Sequence, residues 1–148
     1  MDEPPPPTVP VPEGSGPTGL LLSRDLIFTS KVTGTARELG HRVMVAGNSA
    51  LASAMIEQWR PKVVFVDLAA GDLVSAPALI AYQKAAGPGT PFVAFGSHVD
   101  TRALADAKAA GCDPVLPRST FSAGLPDLIR RYFGDGPAPG PTGPEDRR

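Results

Sequence analysis

From Gly19 onward the chain alternates between short apolar runs and longer segments whose apolar residues recur every three or four positions. Gly19-Leu20-Leu21-Leu22-Ser23 is too short for a helix and reads as a buried strand. In Leu26 to Leu39, the residues Ile27, Phe28, Val32, Ala36 and Leu39 are the apolar ones, and Gly40 supplies the stop. Arg42-Val43-Met44-Val45-Ala46 predicts a second strand, after which Asn48 or Ser49 caps a helix ending near Arg60, with Pro61 beyond it. Val63 to Leu68 is a third strand. Ser75 and Pro77 open a third helix that Gly87 closes. Pro91 leads a fourth strand, Phe92 to Phe95, and Asp100 caps an alanine-rich helix from Thr101 to Ala110, ended by Gly111. Val115-Leu116-Pro117 makes a fifth strand. Ser122 is the expected cap of a last helix through Tyr132, with Pro126 tolerated in its first turn.

Strands separated by single helices imply right-handed crossovers and a parallel sheet covered on both faces. Five such units between residues 19 and 133 predict an α/β domain of flavodoxin-like architecture. That is a doubly wound (βα)5 fold, a five-stranded parallel sheet inside three layers. Residues 1–18 and 134–148 are rich in proline, glycine, serine and threonine, with Pro4 to Pro7 consecutive. Neither segment has apolar residues enough to offset its ordering entropy, so both are expected to be disordered tails. The proline run reads as a solubilising spacer, with a polyproline II ligand as the alternative.

Composition narrows the field without naming a role. The 148 residues are 42% hydrophobic and carry a net charge of −1, enough to bury one core and too little charge to attract nucleic acid or an anionic membrane in bulk. Cys112 is the sole cysteine, so no intramolecular disulfide forms, which fits a reducing cytoplasm. Met1-Asp2-Glu3 opens neither the basic nor the apolar region of a signal peptide, and no apolar run approaches the ~18–20 residues of a membrane span. A cytoplasmic protein is expected.

The candidate chemistry centres on Asp67, which ends the β-branched and aromatic run Val63-Val64-Phe65-Val66-Asp67. In an open α/β sheet, a carboxylate at the carboxyl end of a buried strand stands where ligands bind. After the first strand comes Ser23-Arg24-Asp25, with a positive charge where a second carboxylate would help hold a cation. Asp25 reads as the cap of the helix that starts at Leu26, and Asp72 as a solvated loop charge. His98, in Gly96-Ser97-His98, has an acid–base side chain near a strand tip, but no nucleophile with a positioned base accompanies it. It reads as a surface loop residue, and His41 is placed at the opposite strand end. Gly87-Pro88-Gly89 and the lone glycines match no phosphate-cradling pattern. Cys112 reads as a small inert residue and Trp59 as a partly buried anchor. Thr29-Ser30-Lys31-Val32-Thr33-Gly34-Thr35 gives the first helix a small surface, suited either to a partner helix or to close packing within the domain.

Several landmarks stand in order along residues 19–133: Leu20-Leu21-Leu22-Ser23-Arg24-Asp25, Glu38-Leu39-Gly40, Val63-Val64-Phe65-Val66-Asp67-Leu68, Ala109-Ala110-Gly111-Cys112-Asp113 and Leu116-Pro117-Arg118-Ser119-Thr120-Phe121. On these the chain resembles the receiver domain of bacterial response regulators. The resemblance implies that Asp67 is the equivalent of the phospho-acceptor. The acidic pair that holds Mg²⁺ in receivers falls on Ser23 and Arg24, with Asp25 one place further along. The hydroxyl residue that binds the phosphoryl group falls on Gly96, with Ser97 next door; the lysine falls on Arg118, its following proline on Ser119, and the switch aromatic on Val115. Only Asp67 keeps its residue type, and Arg118 its charge.

Two opposite unit charges at ~4 Å gain roughly 4 kcal/mol at an effective dielectric near 20, before desolvation. Arg24 and Arg118 are therefore expected to neutralise Asp67 in a pseudo-receiver with no cofactor and no catalysis. It would be a stand-alone signalling and interaction module of two-component type, with no output domain. Expected partners are proteins, with a homodimer through the face of the fourth helix, fifth strand and fifth helix, where Ala103, Leu104, Ala107 and Leu128 to Tyr132 lie. Nucleic acid and membrane are not expected. The alternatives are a solvent-facing Asp67 with the arginines pointing elsewhere, or a working single-domain regulator phosphorylated on Asp67 with Mg²⁺ between Asp25 and Asp67. A third is a small-ligand or flavin binder using the crevice near Gly47, Asp67 and Gly96.

Overall fold

All five strands form in a computed structural model that describes residues 18–134. They are β1 (Thr18–Leu22), β2 (Arg42–Ala46), β3 (Val64–Asp67), β4 (Phe92–Gly96) and β5 (Val115–Pro117). All neighbours pair in parallel, in the order β2-β1-β3-β4-β5. Every residue of β1, β3 and β4 is buried, because crossover helices cover both faces; that is why these strands are continuous apolar runs rather than alternating ones.

The helices are α1 (Leu26–Glu38), α2 (Ser49–Trp59), α3 (Ala76–Ala86), α4 (Thr101–Ala109), α5 (Arg118–Ala123) and α6 (Leu125–Phe133). Side chains of Asp25, Asn48, Ser75 and Asp100 cap the first four, each accepting a first-turn backbone N–H. Of the two candidates for α2, Asn48 is the cap. A 3₁₀ turn, Gly71–Val74, precedes α3 and had no signal in the periodicity.

The last helix departs from expectation. It is two helices, Ser122 lies inside the first of them, and Gly124 separates the pair. Pro126 has no N–H to return to the Ser122 carbonyl, so the ladder breaks and α6 starts afresh with proline in its first turn. Thr18, assigned to the amino-terminal tail, is the first residue of β1. Apart from Gly134, which caps the end of α6, the rest of both expected tails, including the Pro4–Pro7 run, lies outside the described residues.

Strand alternation sorts the core into two layers. Leu20, Leu22, Val64, Val66 and Ala94 pack with α2, α3 and α4 through Ala52, Ile56, Leu79, Tyr82 and Ala107. Leu21, Val43, Phe65, Val93 and Phe95 pack on the other face with α1, α5 and α6 through Val32, Ala36, Phe121, Leu125 and Ile129. Trp59 is partly buried against the first layer, as its position suggested. Cys112 is buried there too, and burial pushes its thiol up to about 11, which keeps it an unreactive thiol near neutral pH. No helix among the described residues is long and apolar enough to cross a membrane.

The domain itself buries Thr29 and Val32 of the small-residue stretch of α1 but leaves Gly34 uncovered. A Cβ added at Gly34 would meet nothing within 4 Å. The hydroxyls of Thr29, Thr33 and Thr35 donate to main-chain carbonyls one turn back, Leu26, Thr29 and Lys31. Close packing against the domain's own elements therefore does not explain the glycine.

Candidate functional site

The carboxyl ends of β1 and β3 deliver Ser23 and Asp67 to one buried point. Asp67 is 1% exposed, and Ser23 is 2% exposed beside it. An ionised carboxylate this deep needs compensation, since taking a charge out of water costs several kcal/mol. It is compensated on every side. Ser23 Oγ donates to Asp67 Oδ2 at 2.7 Å, Arg118 Nη2 donates to Oδ1 at 2.8 Å, and the Ala69 N–H donates to Oδ1 at 3.0 Å. Ser23 Oγ in turn accepts the Asp25 N–H at 3.2 Å, so it both donates and accepts.

Arg118 is the first residue of α5, and its direction is set by the extended Pro117 before it. Its guanidinium carbon lies 5.0 Å from the Phe28 ring centre and 5.3 Å from that of Phe95. Both rings are themselves packed on Phe121, Phe95 stacking at 4.1 Å. The cation is thus held from one side by a carboxylate and from another by aromatic faces.

Arg24 does not take part, which corrects the expectation that both arginines neutralise Asp67. Consecutive residues leaving a strand point to opposite sides, so Ser23 turns inward and Arg24 outward. Arg24 Nε donates to the Gly47 carbonyl at 2.9 Å, Nη1 to the Ala70 carbonyl at 3.2 Å, and Nη2 pairs with Asp72 Oδ1 at 3.1 Å. It staples the loop after β1 to those after β2 and β3. Asp72 is exposed, as expected of a loop charge, but it has this partner.

The remaining predicted positions fall as follows. Asp25 Oδ1 accepts the Phe28 N–H at 3.0 Å, making Asp25 the helix cap and leaving Asp67 as the carboxylate of the pocket. At Gly96 a Cβ would stand 3.2 Å from both Cβ and Cδ1 of Leu68 and 3.6 Å from Leu104 Cδ2. The position that the resemblance gives to a hydroxyl is therefore crowded by leucine. Ser97 Oγ accepts the Val99 N–H at 3.3 Å within its own loop. Val115 is half-buried against the α2–α3–α4 layer. His98 is exposed.

His41 sits at the far end of the sheet. It stacks on Phe133 with ring centres 4.8 Å apart, and its Nε2 is buried without a hydrogen-bond partner among the described residues. Burial lowers its pKa below the ordinary 6.5, opposed by a hydrogen bond with the Gly134 backbone and assisted by the Lys62 charge. Among the described residues no group of three or more His, Cys, Asp or Glu side chains is placed to hold a metal ion. The parts of the site that sequence did not point to are the Phe28–Phe95 platform and the Leu68–Leu104 wall. Phe28, Phe95 and Leu68 were legible only as apolar positions of their helix and strands, and Leu104 only as part of the expected contact face, since nothing in periodicity distinguishes a ring under a cation from a ring in a core.

The fold recurs in solved structures. The receiver domain of a sensor histidine kinase from Pseudomonas aeruginosa, crystallised with a magnesium ion in its active-site cleft, is 20% identical with a TM-score of 0.67, covering 81% of this chain and 99% of that one. A response regulator from Thermotoga maritima is 19% identical with a TM-score of 0.66, covering 79% of this chain and 97% of that one. The receiver domain of the Saccharomyces cerevisiae response regulator Ssk1, solved with the histidine phosphotransfer protein Ypd1, is 16% identical with a TM-score of 0.65, covering 80% of this chain and 89% of that one. No protein-family model and no curated protein matches the sequence. At these identities the likeness establishes the fold: this chain has the receiver architecture, as its landmarks implied.

Proposed function

We propose that this chain is a receiver-like signalling module whose acceptor pocket is held by its own arginine, and that it works through protein contacts rather than phosphotransfer. The observation that carries this reading is the closed set of bonds on Asp67: both carboxylate oxygens are engaged, by Ser23, Arg118 and Ala69, in a site 1% exposed. Mg²⁺ requires near-octahedral oxygen ligands and usually at least one free carboxylate. Here Asp25 is committed to a helix cap, and Arg24 to a loop staple. These donors do not fit the ion, and Arg118 supplies the compensating charge instead. A side chain cannot exchange with solvent as a metal does, so the pocket keeps one state.

Switching chemistry lacks its other part as well. A phosphoryl group on Asp67 would have to displace Ser23 and Arg118, and Gly96 brings no hydroxyl to meet it. A protein partner agrees with the neighbour of this fold solved with a phosphotransfer protein. Three of the exposed large apolar side chains, Leu26, Ile27 and Val99, stand in the loops and helix starts around the strand tips. The face of α4, β5 and the last helix, where contact was expected, buries its Ala107 and Ile129.

The test is intact-mass spectrometry after incubation with Mg²⁺ and a small phosphodonor such as acetyl phosphate. No phosphoryl adduct is expected. A stoichiometric adduct that disappears in Asp67→Asn would establish a working phospho-acceptor in its place.

A further inference from the structure

The amino-terminal end of the sheet carries cations that no carboxylate offsets. Arg37 lies in the last turn of α1, Arg42 opens β2, and Lys62 stands just before β3. None of the three has an ion-pair partner among the described residues. Glu38, the acidic neighbour on α1, is exposed and pairs with neither arginine. A helix C-terminus suits a cation, which accounts for the charge at Arg37 but leaves its five N–H donors unused.

Arg37 and Arg42 line one open cavity of about 620 Å³, shared with Thr33, His41 and the strand from Val43 to Val45. That is the size of a small-molecule site. The cavity has two chemically different ends. Since α1 runs antiparallel to β2, Arg37, His41 and Arg42 stand together at one end, and Thr33 and Val45 at the other. Thr33 Oγ1 already donates to the Thr29 carbonyl, so this second end offers an apolar wall at ~3.3 Å per strand residue. The field at the first end acts on His41, whose pKa burial lowers and the Lys62 charge lowers further.

We infer that this cavity binds a small phosphomonoester, with its phosphoryl group on Arg37 and Arg42 and its apolar body along Val43 to Val45. A guanidinium presents its N–H groups as a planar fork that grips two oxygens at once. One fork fills a carboxylate. A phosphoryl dianion has a third terminal oxygen and a second charge, so it engages both arginines. The cavity lies at the opposite end of the sheet from Asp67, and the inference does not rest on the reading of that pocket.

Amide NMR of the full chain, titrated with phenyl phosphate and separately with benzoate, tests it. Saturable shifts of the Arg37, His41, Val43 and Val45 amides are expected with millimolar phenyl phosphate, and weaker binding with benzoate. Both arginines are exposed, so Arg37→Gln/Arg42→Gln leaves the core intact and should weaken phenyl phosphate at least about tenfold. The ligand should also raise the His41 pKa, read from its ring proton shifts, because a bound anion opposes the Lys62 charge. Unchanged affinity in the double variant, or no saturable shift at all, would overturn the proposal. Benzoate binding as tightly as phenyl phosphate would also overturn it, since one fork then suffices.

Discussion

At the scale of single residues the pocket depends on one guanidinium. Arg118→Met keeps the apolar stem and removes the charge, leaving Asp67 buried with no counter-ion. Breaking a buried pair from one side costs about 3–5 kcal/mol, and the lower figure applies because the Arg118 side chain is 32% exposed. Urea denaturation should show that loss, and adding Asp67→Asn should recover most of it, since the buried charge is then gone. A second change tests the leucine wall. Gly96→Thr places a Cβ 3.2 Å from Leu68, so overpacking of roughly 1–3 kcal/mol is expected in the same assay. Which arginine would reach Asp67 was not legible from sequence. Arg24 and Arg118 both fell at positions aligned with the pocket, and only the inward turn of Ser23 decides between them.

Among the elements, α1 shows how much local chemistry reveals. Its Asp25 cap and its Gly40 stop were readable because each acts within a turn of itself. Asp25→Ala should cost about 1 kcal/mol by denaturation, the ordinary value of a lost cap. Gly34 was read as costly in a helix, with a partner helix or packing within the domain left open as its reason; the space around it decides against the second, and packing is not a local property. Gly34→Ala should raise stability by about 0.5–1 kcal/mol, since the new methyl meets no atom and the helix gains. A loss instead would mean that something covers that surface. The break at Gly124 went unread because a serine at position 122 resembles a cap as readily as it fills a helix interior.

For the whole molecule, the parallel sheet with helices on both faces followed from the alternation of apolar runs and helices; the strand order β2-β1-β3-β4-β5 was not read from that alternation. Individual contacts between residues distant in sequence did not follow. His41 on Phe133 is one, and it sets a pH dependence. Because burial holds the His41 pKa below its unfolded value of 6.5, the folded state binds the proton less readily than the unfolded chain. The stabilisation is complete above that value and is lost as pH falls through it toward the folded pKa. Denaturation midpoints taken between about pH 7 and pH 5 should fall, and less steeply in His41→Gln.

The central claim is that Arg118 occupies, permanently, the electrostatic role a divalent ion would fill at Asp67. Paramagnetic broadening by millimolar Mn²⁺, followed by amide NMR, addresses it directly. The account predicts no selective broadening of the Ser23, Asp25, Asp67 and Ala69 amides. Selective, saturable broadening of that group, reversed by excess Mg²⁺, would contradict it.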